Sequence, residues 1–328
     1  MQTKQIDSID VLKILAALAV VSIHTGFVDV LNHVTHTVIP SMFVRLAVPI
    51  FFIIASYFLA RHIQRHHDRL SALKSYTWRI GKLYLFWIIL YGYYIVRDAW
   101  PGFQQNGATV KWWGLAILHF VLIGPPTMLV GWYLNALLFG IWFVYWWFQK
   151  KQRLGFVLAL LIFGGIVIFS GYFPVKLSFL IACTLFVGPS YIYLGQWLAN
   201  LKQLPSWHKL ILSTSFVLLL TYVEIAYVTA HNGHTDQLFM YLFLAPLIVM
   251  IFFKVPLKLP HARWWRNFST FMYLSHYLLM KIIYNFLYYQ VHSSILRFVI
   301  VVGLSFLAYV VVCLLQKTKL AAIFKWAY

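Results

Sequence analysis

Three ionisable side chains stand where the neighbouring sequence is apolar. His24 closes the run ALAVVSIH, Glu224 interrupts LTYVEIAYV, and His276 lies in FMYLSHYLLM. A group of this kind inside a membrane span costs at least a few kcal/mol unless it finds a partner or water, which makes it a functional candidate. Histidine is the side chain best suited to accept a proton near neutral pH, and a carboxylate can orient such a base or take its proton. Lys13 and Asp10 precede His24 on the same predicted helix. At 100° per residue Lys13 falls about 20° from His24, and Asp10 about 40° from it, so all three share a face. His24 then lies about 16 Å beyond Lys13, in the outer half of the membrane. Glu224 is expected at similar depth, so that Glu224 would orient His24; the alternative is an inter-helix hydrogen bond that only holds the helices together. Tyr273 and Ser275 flank His276 and could donate hydrogen bonds to a reacting carbonyl or to substrate. Lys281 is expected to snorkel to the outer interface.

A second constellation is basic. The segment RHIQRHHDRLSALKSYTWRIGK runs from Arg61 to Lys82. Lys74, Arg79 and Lys82 stand at the mouth of the next span, where they could hold the phosphates of an anionic donor such as an acyl-CoA thioester. Retention of cytoplasmic loops and contact with anionic lipid would use the same residues. His66, His67 and Asp68 are consecutive and do not share a helix face, so they do not form a metal or catalytic triplet. His24 and Asp29, five apart, are read as a chance H-x-x-x-x-D. Trp100, Trp112 and Trp113 could stack on sugar rings outside, or form an interfacial aromatic belt. No metal site is expected.

These groups must be held by membrane helices. Apolar residues make up 62% of the chain and charged residues 10%, against roughly half and a quarter in a soluble domain. Spans of about 20 residues are expected near 10–29, 42–60, 79–97, 129–148, 154–173, 178–198, 209–229, 238–253, 268–289 and 295–315. The stretch 111–124 is expected to be a short interfacial or re-entrant helix. The N-terminal run has no small-residue cleavage site and is read as the first span, not a signal peptide. With both termini in the cytoplasm, all of the 26 basic residues fall inside except Arg45, Arg97, Lys111, Lys176, Lys281 and Arg297, as the positive-inside rule requires. The net charge of +19 is therefore a matter of topology and lipid contact, not of nucleic acid. Cys183 and Cys313 lie in apolar segments and suit neither a disulfide nor zinc. The expectation is an all-α, polytopic membrane helix bundle of about ten spans, forming one domain over 1–328.

The same residues, taken together, resemble the acyltransferase-3 family of bacterial membrane acyltransferases. IDVLKILAALAVVSIH resembles the family's first span, with Asp10 and His24 matching and Lys13 standing where the family has arginine. AVPIFFIIASYFL resembles the second span through Val48, Pro49, Phe51, Phe52 and Ser56. LKSYTWRIGKLYLFW resembles its basic patch, GWYLNALL its W-F/Y-L segment with Trp132 and Tyr133, YIYLGQWLA its G-x-x-L region, and YLSH its C-terminal Y-L-x-H, giving Tyr273 and His276. The resemblance implies transfer of an acyl group, usually acetyl, from cytoplasmic acetyl-CoA to a hydroxyl of an extracytoplasmic glycan or lipid-linked sugar. Together with the reading of the residues above, it leads to the expectation of donor binding by Lys13, Lys74, Arg79 and Lys82, catalysis by His24 with Glu224 and His276, and substrate contacts from Asp10, Tyr133, Tyr273, Ser275, Trp112 and Trp113. A lysine at 13 replaces a two-pronged grip by a point charge. Some members carry an extracytoplasmic esterase-like domain; none is expected within these residues. The location expected is the bacterial cytoplasmic membrane. A permease for a small polar solute such as serine is the alternative, because the membrane half of serine racemase-type resistance proteins resembles the same family.

Overall fold

The computed structural model describes residues 6–65, 68–107, 109–122, 124–125, 127–173, 184–287 and 292–328. All regular structure among them is helical. The helices are α1 (Asp7–Thr25), α2 (Phe27–Thr35), α3 (Ile39–Arg45), α4 (Ala47–Arg65), α5 (Arg69–Asn106), α6 (Val110–Leu122), α7 (Gly131–Trp142), α8 (Gln152–Val167), α9 (Gly188–Asn200), α10 (Trp207–Ala230), α11 (Tyr241–Lys254), α12 (Ala262–Leu287), α13 (Ser294–Leu315) and α14 (Ala321–Phe324). Wider π-helical turns prolong α7 over Phe143–Trp147 and α8 over Ile168–Tyr172. Among the described residues, five stretches are long and apolar enough to cross a membrane: Asp7–Thr25, Ile39–Arg65, Gln152–Tyr172, Trp207–Ala230 and Ser294–Leu315. His66, His67, Lys176 and Cys183 lie outside the described residues, as does the first part of the span expected at 178–198.

α1 runs through the middle of the bundle. It packs along α12 and touches α4, α11 and α13. Of its apolar window 56% is buried, against 22% in α10 and in α13, which face outward. Asp7 and Asp10 in its first turn suit the positive end of the helix dipole, and Asp7 Oδ2 accepts the Leu259 amide at 3.1 Å. The first span was expected to reach residue 29. It stops at Gly26, whose φ of 73° ends the helix in the left-handed region. The chain then resumes as α2 and α3, two short helices between α1 and α4.

α4 lies along α9 at close range. A Cβ on Gly195 would strike the Ile53 carbonyl oxygen and Ser56, so only glycine allows this approach. Ser56 uses it: its hydroxyl donates to the Ile192 carbonyl at 2.6 Å and lies 3.0 Å from the Tyr145 hydroxyl. The match of Ser56 to the family motif is thus a matter of helix packing.

α12 differs from the other helices in carrying a polar stripe from end to end. Arg263, Arg266, Asn267, Thr270, Tyr273, Tyr277 and Lys281 recur at three- and four-residue spacing and so line one face. Next to His276 the helix is modified. The Tyr91 hydroxyl donates to the Leu274 carbonyl at 3.0 Å and accepts the Leu278 amide at 2.8 Å. A regular turn would pair those two groups with each other. A side chain inserted into the ladder is a recognised cause of local bending.

Candidate active site

His24 and His276 face each other across α1 and α12. Their ring centroids are 5.2 Å apart at an interplanar angle of 30°. The Tyr277 ring meets His24 edge-on at 5.7 Å. His276 is fully buried, and its Nδ1 lies 3.2 Å from the Met272 carbonyl oxygen. A carbonyl only accepts, so Nδ1 carries the proton and Nε2 the lone pair. Nε2 is buried without a hydrogen-bond partner. Leaving such an atom unpaired costs about 1–3 kcal/mol. His24 is half-buried, and among the described residues no hydrogen bond holds its ring.

Below the pair a cavity of about 920 Å³ opens at the face that carries Ile6 and Tyr328. Its charged side chains are Lys13, Arg79, Lys82, Arg263, Arg266 and Lys325, with Asp10 the one acidic side chain among the described lining residues. Asp10 is buried and lies 3.6 Å from Arg266 Nη1 and 3.9 Å from Lys13 Nζ. Lys13 Nζ also sits 5.3 Å from the centroid of the Phe58 ring. One carboxylate therefore steadies two cations and leaves a large positive surplus around the space.

The deep end of the cavity is aromatic. Phe51, Tyr133 and Tyr273 line it, with Tyr273 5.4 Å from each of the other two rings. Tyr273 stands 6.2 Å from the His276 ring. These rings separate the cavity from the histidines. The separation between charge and base is large. Arg266 precedes His276 by ten residues and Lys13 precedes His24 by eleven, so on both helices the two levels are about 15 Å apart.

Beyond the histidines, α12 reaches the opposite face. Lys281 Nζ meets Asp98 Oδ2 at 2.6 Å, and Arg97 Nη2 meets Asp98 Oδ1 at 2.9 Å. The Thr127 hydroxyl donates to Asp98 Oδ2 at 3.1 Å. At that face a carboxylate on α5 holds Lys281.

The profile of a family described as an acyltransferase domain, Acyl_transf_3, matches residues 6–316. The chain belongs to the acyltransferase-3 family. A relative from Enterococcus faecalis described as an amino-acid racemase is 31% identical over 136 residues, which are 41% of this chain and 18% of that protein. The chain thus spans less than a fifth of that relative's length. No solved structure matches the chain. Its apolar helices and its family together make it a membrane protein of the acyltransferase-3 family.

Within this acyltransferase-3 chain the expected site residues separate into two groups. Lys13, Asp10, Arg79, Lys82, Tyr133 and Tyr273 line the cavity, and His24 and His276 stand together beyond Tyr273. Glu224 does not join them. Its carboxylate accepts the Tyr172 hydroxyl at 3.1 Å and the amides of Phe239 and Met240 at 2.8 and 2.9 Å. It ties α8 and α10 to the start of α11, which satisfies it and leaves it no part in orienting His24. The neighbour of His24 is His276 instead. Ser275 turns about 100° away from His276 and its hydroxyl donates to Ser305 on α13 at 3.3 Å. Lys74 lines a separate surface hollow with Asp68, Ser71 and Trp78. Trp112 and Trp113 form a cluster with Phe103 at the end of α5, away from the cavity lining. Asp10 contacts cations of the protein, which makes it a positioning group for them.

Sequence reasoning missed Arg263, Arg266, Lys325 and Tyr91. The first two were visible as part of the polar stripe on α12, because an amphipathic period along an apolar span signals a face turned to a cavity. Lys325 follows α13 and carried no local signal.

Proposed function

We propose that the protein moves an acyl group, most simply acetyl, from cytoplasmic acetyl-CoA to a hydroxyl of an extracytoplasmic glycan or lipid-linked sugar. The observation that carries this reading is a cavity lined by six cations, two of which, Lys13 and Arg266, precede the paired histidines by about 15 Å of helix rise. A polyanionic donor fits the cations. A donor whose acyl end hangs on a long arm, far from its phosphates, fits the offset. A compact acyl phosphate does not. The positive-inside distribution supports a cytoplasmic position for the cationic mouth and an outer one for Asp98.

In this scheme Lys13, Arg79, Lys82, Arg263 and Arg266 hold the phosphates. Arg266 supplies beside Asp10 the guanidinium that position 13 lacks. The arm runs past Phe51 toward Tyr133 and Tyr273, whose hydroxyls donate to the thioester carbonyl. His24, the more exposed ring, takes the proton of the acceptor hydroxyl. The hydroxyl oxygen bonds to the acyl carbon, the carbon–sulfur bond breaks, and the proton leaves with the thiolate. His276, fixed by Met272, holds the His24 ring in place.

The test uses cell envelopes containing the protein and radiolabelled acetyl-CoA. Alkali-labile label in glycan or lipid-linked sugar is expected with the native protein and not with His24→Ala. Equal labelling by the two, or none by the native protein, overturns the reading.

A further inference from the structure

The residues that follow the family match form part of the cavity wall. After α13 ends at Leu315, the chain turns back through α14 and re-enters the bundle. Ala327 is fully buried, and its carbonyl accepts the Trp87 indole N–H at 3.1 Å. The Tyr328 hydroxyl donates to Gln316 Oε1 at 2.6 Å, and Gln316 Nε2 donates to the Phe324 carbonyl at 2.9 Å. The Tyr328 ring packs on Tyr309 at 5.1 Å. This segment is therefore fastened at several points. Yet Lys325, Trp326 and Tyr328 all line the cavity. Lys82 Nζ lies 5.5 Å from the Trp326 ring centroid, which places a flat aromatic face beside two basic groups at the cationic mouth.

We propose that residues 325–328 form the part of the donor site that recognises its nucleotide end: Lys325 pairs with a phosphate and Trp326 packs on the purine. This rests on the donor reading above. The chemistry required is a flat ring carrying phosphate, and Lys325, Lys82 and Trp326 supply the complementary charge and surface. The tail lies at the mouth, whereas Tyr133 and Tyr273 lie at the deep end. It therefore acts on the nucleotide and leaves the acyl-bearing arm alone.

The experiment is equilibrium binding of radiolabelled acetyl-CoA to the purified full chain in nanodiscs, with two competitors. Adenosine 3′,5′-bisphosphate carries only the nucleotide end, and acetyl-pantetheine only the arm. In the native protein both displace the label. In Lys325→Ala and in Trp326→Ala the bisphosphate is expected to compete about tenfold more weakly, the loss of one charge-assisted or stacking contact. Acetyl-pantetheine is expected to compete as before. The conservative changes Lys325→Arg and Trp326→Tyr should restore bisphosphate competition, which a variant damaged in folding would not show. Equal weakening toward both competitors, or unchanged competition by the bisphosphate, overturns the tail assignment while the donor reading stands. A native protein that binds no acetyl-CoA removes both.

Discussion

The two ends of α12 handle charge in opposite ways. At one end Arg263 and Arg266 join Lys13, Arg79, Lys82 and Lys325 around one cavity, with Asp10 the one acidic side chain among its described lining residues. Its ion pairs with Arg266 and Lys13 measure 3.6 and 3.9 Å. At the other end Lys281 sits 2.6 Å from Asp98, whose second oxygen is held by Arg97 at 2.9 Å. Like charges gathered in a partly enclosed space repel one another, so the first arrangement costs stability until an anion enters. The second is already satisfied. A surplus of several cations marks a binding site, and two cations closely held by one carboxylate mark a fastening between helices. Distance from the histidines does not tell the two apart, since α12 carries both; their charge balance does.

The strongest way to sharpen this contrast is to remove the chemistry between the two ends. His24→Ala is expected to lower the acyl-transfer rate by about 10²–10⁴-fold, the usual contribution of a general base, and to leave acetyl-CoA binding intact. Single-turnover transfer and equilibrium binding, measured side by side, check this. If binding fell along with the rate, the histidines would belong to the donor site and the division into levels would be wrong.

A charge reversal at each end comes next. Arg266→Glu adds a second carboxylate beside Asp10, and donor affinity is expected to fall by about 10²-fold, in keeping with about 1.5–3 kcal/mol for a hydrogen bond to a charged group. Asp98→Lys at the other end should leave donor affinity unchanged. Equal losses at the two ends would erase the contrast. Salt gives a gentler version of the same test. Raising the ionic strength from about 0.1 to 1 M shortens the screening length from about 10 to 3 Å. Acetyl-CoA binding should weaken steadily over that range, and a salt-independent affinity would mean that the cavity cations do not hold the donor.

Much of this was legible in the sequence, and the remainder was hidden for identifiable reasons. Long apolar runs set the helices, because a membrane leaves the backbone few other choices. His24 and His276 stood out by their cost. Gly26 was overlooked as a stop signal because the apolar pattern continues through Phe27 and Val28. Glu224 was read as catalytic by the same cost argument that found the histidines. That argument identifies a buried charge with a partner but cannot name the partner, which here includes two backbone amides. The Tyr91 hydroxyl between Leu274 and Leu278 has no sequence signal, since it depends on where α5 crosses α12. Lys325 reaches the cavity only because the chain folds back after α13, a long-range event that no local pattern encodes.

The smallest effect belongs to the closely paired outer end. Burial raises the pKa of the Asp98 carboxyl, but hydrogen bonds from Lys281 and Arg97, with the Lys281 charge, outweigh it and hold the value below that of an ordinary aspartate. A carboxylate depressed in this way stabilises the folded state above its unfolded pKa of about 3.9, and the contribution disappears as pH falls through the lower folded value. The group is 30% exposed, so screening keeps the gain near the range of surface pairs, about 0.2–1 kcal/mol. Asp98→Asn should therefore lower the Tm of the detergent-solubilised protein by a degree or two at pH 7, and the two melting curves should converge as the medium is acidified. Transfer activity at pH 7 should change little. A large loss of activity in Asp98→Asn with an unchanged Tm would show that the outer pair serves the reaction, and the two ends of α12 would then differ less than their charge balance implies.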